Sequence, residues 1–456
     1  MLIRSRRGFM RDVVRSVSAA GALGALGKFG EMNALAANGN YKALVCVFMA
    51  GGNDGHNTVI PIHTGIQGAD YATYAKGRSF LALPSAGLKT INNGSDVYGL
   101  HTQMPEIQAL YNSGSAAVLA NVGMLVKPTD RNSYNSPGNS AALPSALFSH
   151  SDQQGQWQTS NPTGLGSFGW GGGLADFMTS LNTGAAFPAA TSTSGASLFC
   201  TGQSTFPASV PPGGTPILGV SQSAGNGLQQ VLTFNNGMQM VQAANGNMQR
   251  GVNYANLLSN ALSSISLSTV FPSGTPDAPN QLSPQLATVA KMIKAQPTLG
   301  LTRQIFFCQL GGFDTHGVQL ATQDALLLQL SQAVGAFQQC MQSELGVGQQ
   351  VTLFTASEFG RTLNPNGNTG TDHAWGSHHF IVGGAVQGGK FYGQFPTLQL
   401  GSLVDANQRG TLIPTTSVDQ YAATLAKWFG VPSAQLGTLF PNLTANFGGQ
   451  TLGFLG

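Results

Sequence analysis

The chain has 456 residues, of which 42% are hydrophobic and only 8% charged, with a formal net charge of +3 at pH 7. Such a length buries a large core, and such a hydrophobic fraction excludes a chain that stays disordered for want of apolar surface. With 61 Gly and little charge, the composition describes a loop-rich globular protein with a neutral polar surface.

Residues 1–37 read as a separate object. "SRRGFMR" (Ser5 to Arg11) precedes a weakly apolar stretch from Val17 to Leu26, and "ALA" at Ala34 to Ala36 follows. A basic start, a short apolar run and a small-x-small site make a signal peptide rather than a stable membrane anchor. Arg6-Arg7 with Phe9 resembles a twin-arginine signal, which implies the twin-arginine translocase as export partner and a periplasmic or secreted protein. Cleavage is expected after Ala36 or Ala37. Six of the 20 basic and two of the 17 acidic residues lie in this segment, so the rest carries a net charge of about −1. No basic patch remains for nucleic acid, and no polybasic motif for a membrane surface.

Four apolar runs then share one layout. "KALVCVFMAGGNDG" starts at Lys42, "SAAVLANVG" at Ser115, "RQIFFCQLGGFDTH" at Arg303 and "QQVTLFTASEFGRT" at Gln349. Each has strand length, lacks polar alternation and ends in Gly or small polar residues. Such runs fit strands buried on both faces of a parallel sheet covered by helices. "HHFIVGGAV" at His378 supplies a fifth. Helical patterns lie between them: "TQMPEIQALYNSG" near Thr102, a long one from Ala321 that stops at Gly346, and "VDQYAATLAKWFG" from Val418. The alternation predicts an α/β fold, a mostly parallel sheet sandwiched by helices. Residues from about 180 to 280 are rich in Gly, Ser, Thr, Pro and Asn. They read as a cap insertion outside the sheet with one helix near Asn253 to Ser263. Cys46, Cys200, Cys308 and Cys340 lack metal-type spacing; Cys46 and Cys308, inside apolar runs, read as buried thiols.

The scarce ionisable groups are not scattered. In an open α/β sheet, sites form beyond the carboxyl ends of the strands. That rule puts Asp54, Asp314, His316 and Glu358 on one rim, and the loop "GTDHAWGSHHF" brings Asp372 and His373 towards it. Carboxylates and imidazoles together suit Zn²⁺, Mn²⁺ or Fe²⁺, and their number fits two divalent metal ions rather than one. His378 and His379, as neighbours in a strand, face opposite sides, so one of them at most points inward. Each candidate has a plainer structural alternative. Asp54 would cap a turn, Asp314 with His316 would be a structural hydrogen-bonded pair, Asp372 and His373 would be non-ligands, and Glu358 with Arg361 a local ion pair.

The motifs "GGNDGHNTVIP", "LFSHSDQQGQWQT", "GWGGGLAD", "GGFDTH", "SEFGRT" and "GTDHAWGSHHF" resemble the exported family known as domain of unknown function 1501. More distantly, the order of acids and His is similar to the alkaline phosphatase/sulfatase superfamily. The superfamily resemblance implies an alkaline-phosphatase-like sandwich and a two-metal hydrolase of phosphate or sulfate esters, with a small anionic ester as substrate. It implies Asp54, Asp372 and His373 on one metal, and Asp314, His316 and His378 or His379 on the other. "DTH" departs from the superfamily spacing, which puts the His four residues after the Asp. The nucleophile it implies is a Ser or Thr at a helix start. Ser133 is the choice, with Thr129 and Ser149 behind it. Glu358 is assigned a base or metal-supporting role and Arg361 a fork onto the anion. His56, His63, His101 and His150 stay unassigned, although His150 lies in a family-like motif. The competing reading is a non-catalytic surface or assembly protein of the same fold.

Overall fold

A computed structural model describes residues 41–64, 68–164, 166–213, 222–234 and 237–456. The expected signal peptide lies outside them. The five apolar runs form β1 (Lys42–Met49), β5 (Ala116–Gly123), β10 (Arg303–Leu310), β11 (Val351–Ala356) and β12 (Ser377–Gly383). Between them lie β2 (Val59–Pro61), β3 (Lys89–Asn93), β4 (Asp96–Leu100), β6 (Ala190–Ser192), β7 (Ala208–Ser209), β8 (Gly274–Thr275) and β9 (Ala278–Pro279). β13 (Phe391–Gly393) and β14 (Thr416–Ser417) follow.

The main sheet runs β13-β5-β12-β11-β1-β10-β6-β7, with β14 also paired to β5. β1 pairs in parallel with β10 and β11, and β10, β6 and β7 continue in parallel. β12 alone is reversed, antiparallel to both β11 and β5. That reversal matters for the site. The start of β12, not its end, lies beside the carboxyl end of β11, so the loop preceding β12 arrives at the rim. β1, β5, β11 and β12 are buried almost throughout, which is why their sequences carry no polar alternation.

Helices flank the sheet. Pro105–Asn112, Gln319–Gln339 and Val418–Phe429 match the predicted helical patterns, and the middle one continues through a π-turn at Cys340–Glu344 to Gly346. Val418–Phe429 starts with a capping box between Ser417 and Gln420. Its Tyr421 packs edge-on against Phe354 of β11 at 5.8 Å, and Trp170 approaches the same ring at 5.5 Å. Leu327 and Leu330 of Gln319–Gln339 are fully buried, and truncating either to Ala would cost about 2–5 kcal/mol. Gly172, in "GWGGGLAD", lets the Trp170–Phe177 helix lie directly on the backbone of Thr201 and Gly202, where no Cβ fits. All four cysteines are free and buried, Cys46 and Cys308 among them.

The 180–280 segment corrects one expectation. Rather than lying outside the sheet, it contributes β6 and β7 as parallel edge strands. Strands of three and two residues are too short to leave a periodic signal. It holds two helices rather than the one expected, Gln222–Thr233 and Gln239–Leu262, the second longer than expected at its N-terminal end.

Candidate metal centre

The rim is built from backbone turns that only particular residues allow. After β1 the chain turns at Gly51 and Gly52, with φ of 120° and 85°. A Cβ on Gly51 would fall inside the backbone of Phe313 and Asp314. The close approach brings the loops after β1 and β10 into contact, as Phe313 N–H donates to Ala50 O at 3.1 Å. Arg361, after β11, is buried and locks three loops together. Nε donates to Gly52 O at 3.1 Å, Nη2 to Gly51 O at 2.6 Å and Nη1 to Thr371 O at 2.9 Å. Nη2 also pairs with Asp314 Oδ1. Burial works against the charge of Asp314, but the Arg361 guanidinium, with His316 and His373, holds its carboxyl below the usual range.

Around Asp314 three imidazoles turn inward. His373 Nε2 lies 3.2 Å from Asp314 Oδ1, and His316 Nε2 lies 3.1 Å from the same oxygen. His150 Nε2 lies 3.5 Å from Asp314 Oδ2. The ring nitrogens also meet each other: His150 Nε2 is 3.1 Å, and His316 Nε2 2.9 Å, from His373 Nε2. His150, Asp314 and His373 form a group whose ligand atoms all lie within 4.8 Å of one another, and among the described residues it is the one such group. His316 joins it through Asp314 and His373.

The outer nitrogens decide what the inner ones can do. His150 Nδ1 sits 2.9 Å from Glu358 Oε1, and His373 Nδ1 sits 2.8 Å from the carbonyl of Phe148. A carboxylate and a carbonyl only accept, so both Nδ1 atoms carry the proton. With the proton on Nδ1, Nε2 of a neutral ring is a lone pair, and here the two Nε2 atoms face each other at 3.1 Å. His316 Nδ1 has Asp372 Oδ1 at 3.4 Å. Burial lowers the pKa of His373, and the charge of Arg361 works the same way, against the Phe148 carbonyl, which favours the protonated ring. Lone pairs gathered on one point with a carboxylate call for a shared proton or a cation. In a tetrahedral zinc site, bonds near 2.0–2.1 Å set ligand atoms about 3.3 Å apart, close to the spacings among His150, Asp314 and His373. The residues therefore fit a divalent metal ion. Asp314 and His316, with side chains 46% and 44% exposed, leave one side open to solvent.

Glu358 is the brace of this arrangement. It is buried, and its Oε1 accepts from Gly51 N–H at 2.8 Å and Gln154 Nε2 at 2.9 Å besides His150. His150 comes from the first position of the His150–Thr159 helix. The turn before it holds Ala146 and Phe148 at positive φ, 48° and 72°. That costly conformation aims the Phe148 carbonyl at His373.

The two expected metal sets do not assemble. Asp54 caps the short Gly55–Thr58 helix, pairs with the buried Arg78 and accepts from Gln319 Nε2, so its oxygens are already satisfied. Asp372 stands behind His316 and pairs with Arg409 Nη2 at 2.7 Å, away from Asp54. His378 and His379 do face opposite sides of β12, but both are buried apart from the cluster. His378 stacks on Phe395 and its Nδ1 accepts from Asn121 N–H, whereas His379 packs against Trp157 and Tyr421. Burial pushes both down to about 3. Asp314, His316 and His373 are brought together, drawn from both expected sets. Ser133 lies in a short turn where its N–H donates to Asp130, and Thr129 Oγ1 donates to Lys127 O. Neither hydrogen-bonds to the cluster. Ser149 is adjacent to His150 in sequence, but its Oγ donates to Asp152. Arg361, spent on three carbonyls and Asp314, has no fork left for an anion.

The residue that the strand-end rule misses is His150. It begins a helix and follows no strand, and only the quoted motif "LFSHSDQ" signalled it.

A family model described as "Protein of unknown function (DUF1501)" matches residues 41–416. No curated protein matches the chain. Among solved structures, similarity extends to a 2-O GAG sulfatase, at 11% identity over 88% of this chain and 74% of that one, with a TM-score of 0.31. The lipoteichoic acid synthase LtaP from Listeria monocytogenes matches at 8% identity over 83% and 75%, with a TM-score of 0.30. The C-terminal periplasmic domain of EcEptC from Escherichia coli, in complex with Zn, matches at 9% identity over 75% and 73%, with a TM-score of 0.28. Scores of this size carry no inference about the chemistry of this chain.

Proposed function

This chain belongs to the DUF1501 family, and from that premise we propose that it is an exported, metal-dependent hydrolase of small anionic esters, phosphate or sulfate, with one metal ion at its centre. The observation that carries the reading is the convergence of His150, His316 and His373 Nε2 on the carboxylate of Asp314. Three imidazoles and one carboxylate suit Zn²⁺, Mn²⁺ or Fe²⁺. When bound, such an ion supplies Lewis-acid polarisation of an ester oxygen and acidifies water. Glu358 and the Phe148 carbonyl hold two of the rings in the tautomer that leaves Nε2 free. Arg361 aims Asp314 and offsets its charge. The half-exposed side of Asp314 and His316 admits the substrate. Ser133 belongs to a separate short turn capped by Asp130, and water is the nucleophile in this reading. Export through the twin-arginine translocase belongs to the same proposal.

One observation favours a second reading, a non-catalytic family member: the guanidinium of Arg361, the expected fork for the anion, is spent on backbone carbonyls and Asp314. The test is hydrolysis of p-nitrophenyl phosphate and p-nitrophenyl sulfate by the Zn²⁺- or Mn²⁺-loaded chain. Turnover that disappears in His373→Ala supports the enzyme. Bound metal without turnover supports the second reading, and no bound metal sinks the first.

A further inference from the structure

The loop from Gly401 to Thr411 is built as a rigid turn around one carboxylate. Asp405 Oδ1 accepts from Gly410 N–H at 3.0 Å and Thr411 N–H at 3.1 Å, and Oδ2 accepts from Gly401 N–H at 2.8 Å. The turn is pinned to the strand-like segment after Arg361. Leu363 N–H donates to Gly410 O at 3.2 Å and Asn364 N–H to Arg409 O at 3.0 Å. Gly410, at φ 76°, sits so close to Leu363 that no Cβ fits. The backbone of Arg409 is thus fixed, while its side chain remains 42% exposed.

That side chain ends at the open side of the metal centre. Arg409 Nη2 meets Asp372 Oδ2 at 2.7 Å, and the other oxygen of Asp372 lies 3.4 Å from His316 Nδ1. One carboxylate therefore links an exposed guanidinium to the imidazole on the exposed side of the cluster. Asn366 Nδ2, at 3.3 Å from Asp372 Oδ1, steadies it. Arg361 is buried and fully engaged, so Arg409 is the guanidinium near this site that can turn to a ligand. A guanidinium receives carboxylate, phosphate and sulfate oxygens in the same geometry. An Arg–Asp pair half-open to water is weak and easily exchanged for another anion.

We propose that Arg409 is the anion-recognising residue of this site, and that Asp372 occupies its seat until the anionic oxygens of a phosphate or sulfate ester displace it. This deepens the hydrolase reading and rests on it for the identity of the substrate, but anion binding at Arg409 can be read separately. In the ligand-free protein Asp372 is the stand-in for the substrate's own charge. On displacement it keeps its second oxygen for His316.

The test is calorimetric titration of the full chain with inorganic phosphate and with sulfate, with and without Zn²⁺, the zinc content being measured first. Arg409→Gln should weaken the binding of the anion that the parent takes by about tenfold or more, the loss of a charged hydrogen-bonding pair, and leave bound zinc unchanged. Asp372→Asn, at zinc concentrations that saturate both proteins, should tighten it several-fold, because the competing carboxylate is neutralised. Unchanged affinity in Arg409→Gln overturns the proposal, as does a parent that binds neither anion. Equal or weaker binding in Asp372→Asn overturns the role given to Asp372. If no zinc binds but Arg409→Gln still weakens anion binding, the metal reading fails and this one stands. If zinc binds and Arg409→Gln changes nothing, the reverse holds.

Discussion

Glu358 Oε1 holds His150 Nδ1 at 2.9 Å, across 208 positions of sequence, and so decides which nitrogen of that ring faces the cluster. The carboxylate of Glu358 is a proton acceptor only, so the ring presents Nε2 as a lone pair. Glu358→Gln keeps the shape but turns a charged acceptor into an amide. Losing a partner of this kind typically costs about 10–100-fold in metal affinity. Competition with a chromogenic chelator should show that loss. Unaltered zinc affinity would mean that Glu358 does not support the site.

Asp54 and Arg78 behave oppositely. They form a buried ion pair, and Arg78 also donates to Asn57 Oδ1 and to the carbonyls of Thr362 and Leu363. Arg78→Ala leaves a buried carboxylate without its counter-ion and should cost about 3–5 kcal/mol of stability. Urea denaturation would report it. Metal stoichiometry of the folded variant should equal that of the parent; a variant that folds but binds no metal would restore Asp54 to the ligand set.

Gly51 is required where a close approach and a positive φ coincide. Gly51→Ala places a methyl group against the backbone of Asp314 at φ 120°. Backbone strain alone costs about 1–3 kcal/mol, and the clash displaces Asp314. The variant should melt lower and bind metal more weakly than the parent. A normal melting temperature would contradict the packing described.

Acid should unfold the protein through its buried imidazoles. Burial pushes His378 and His379 down to about 3, and His56 and His101 down to about 4. Each folded value lies below the unfolded value near 6.5, so the unfolded chain takes up the proton first. The stability from these neutral rings is fully present above pH 6.5 and falls as the pH drops towards 3–4. Each ring contributes a slope of about 1.4 kcal/mol per pH unit in that window. Urea midpoints between pH 7 and 4 should therefore decline, and His379→Phe should flatten the decline. An identical pH profile in that variant would refute the assignment.

Much of the frame was legible in the residues. β1, β10 and β11 announce themselves because strands buried on both faces need unbroken apolar runs. The same runs located Asp314, His316 and Glu358 at strand ends, and the loop with His373 beside them. Their grouping was not legible. Whether Asp54 is free to bind metal depends on Arg78 and Gln319, and the second of those contacts spans 265 positions. Arg361 reads in sequence as a fork onto an anion or a partner of Glu358, yet the carbonyls of the glycine turn after β1 draw it inside. His150 follows no strand, so no rule about strand ends reaches it. β6 and β7 are too short to be seen at all.

The most direct measurement is the metal content of the purified full chain, by elemental analysis after equilibration with Zn²⁺ and removal of loose ions, in the parent and in His150→Ala. His150 separates this site from both ligand sets implied by resemblance, since it belongs to neither. The account predicts about one equivalent of metal per chain in the parent and a large loss in a folded His150→Ala. Two tightly held equivalents, none at all, or one equivalent retained in His150→Ala with undiminished affinity would contradict it.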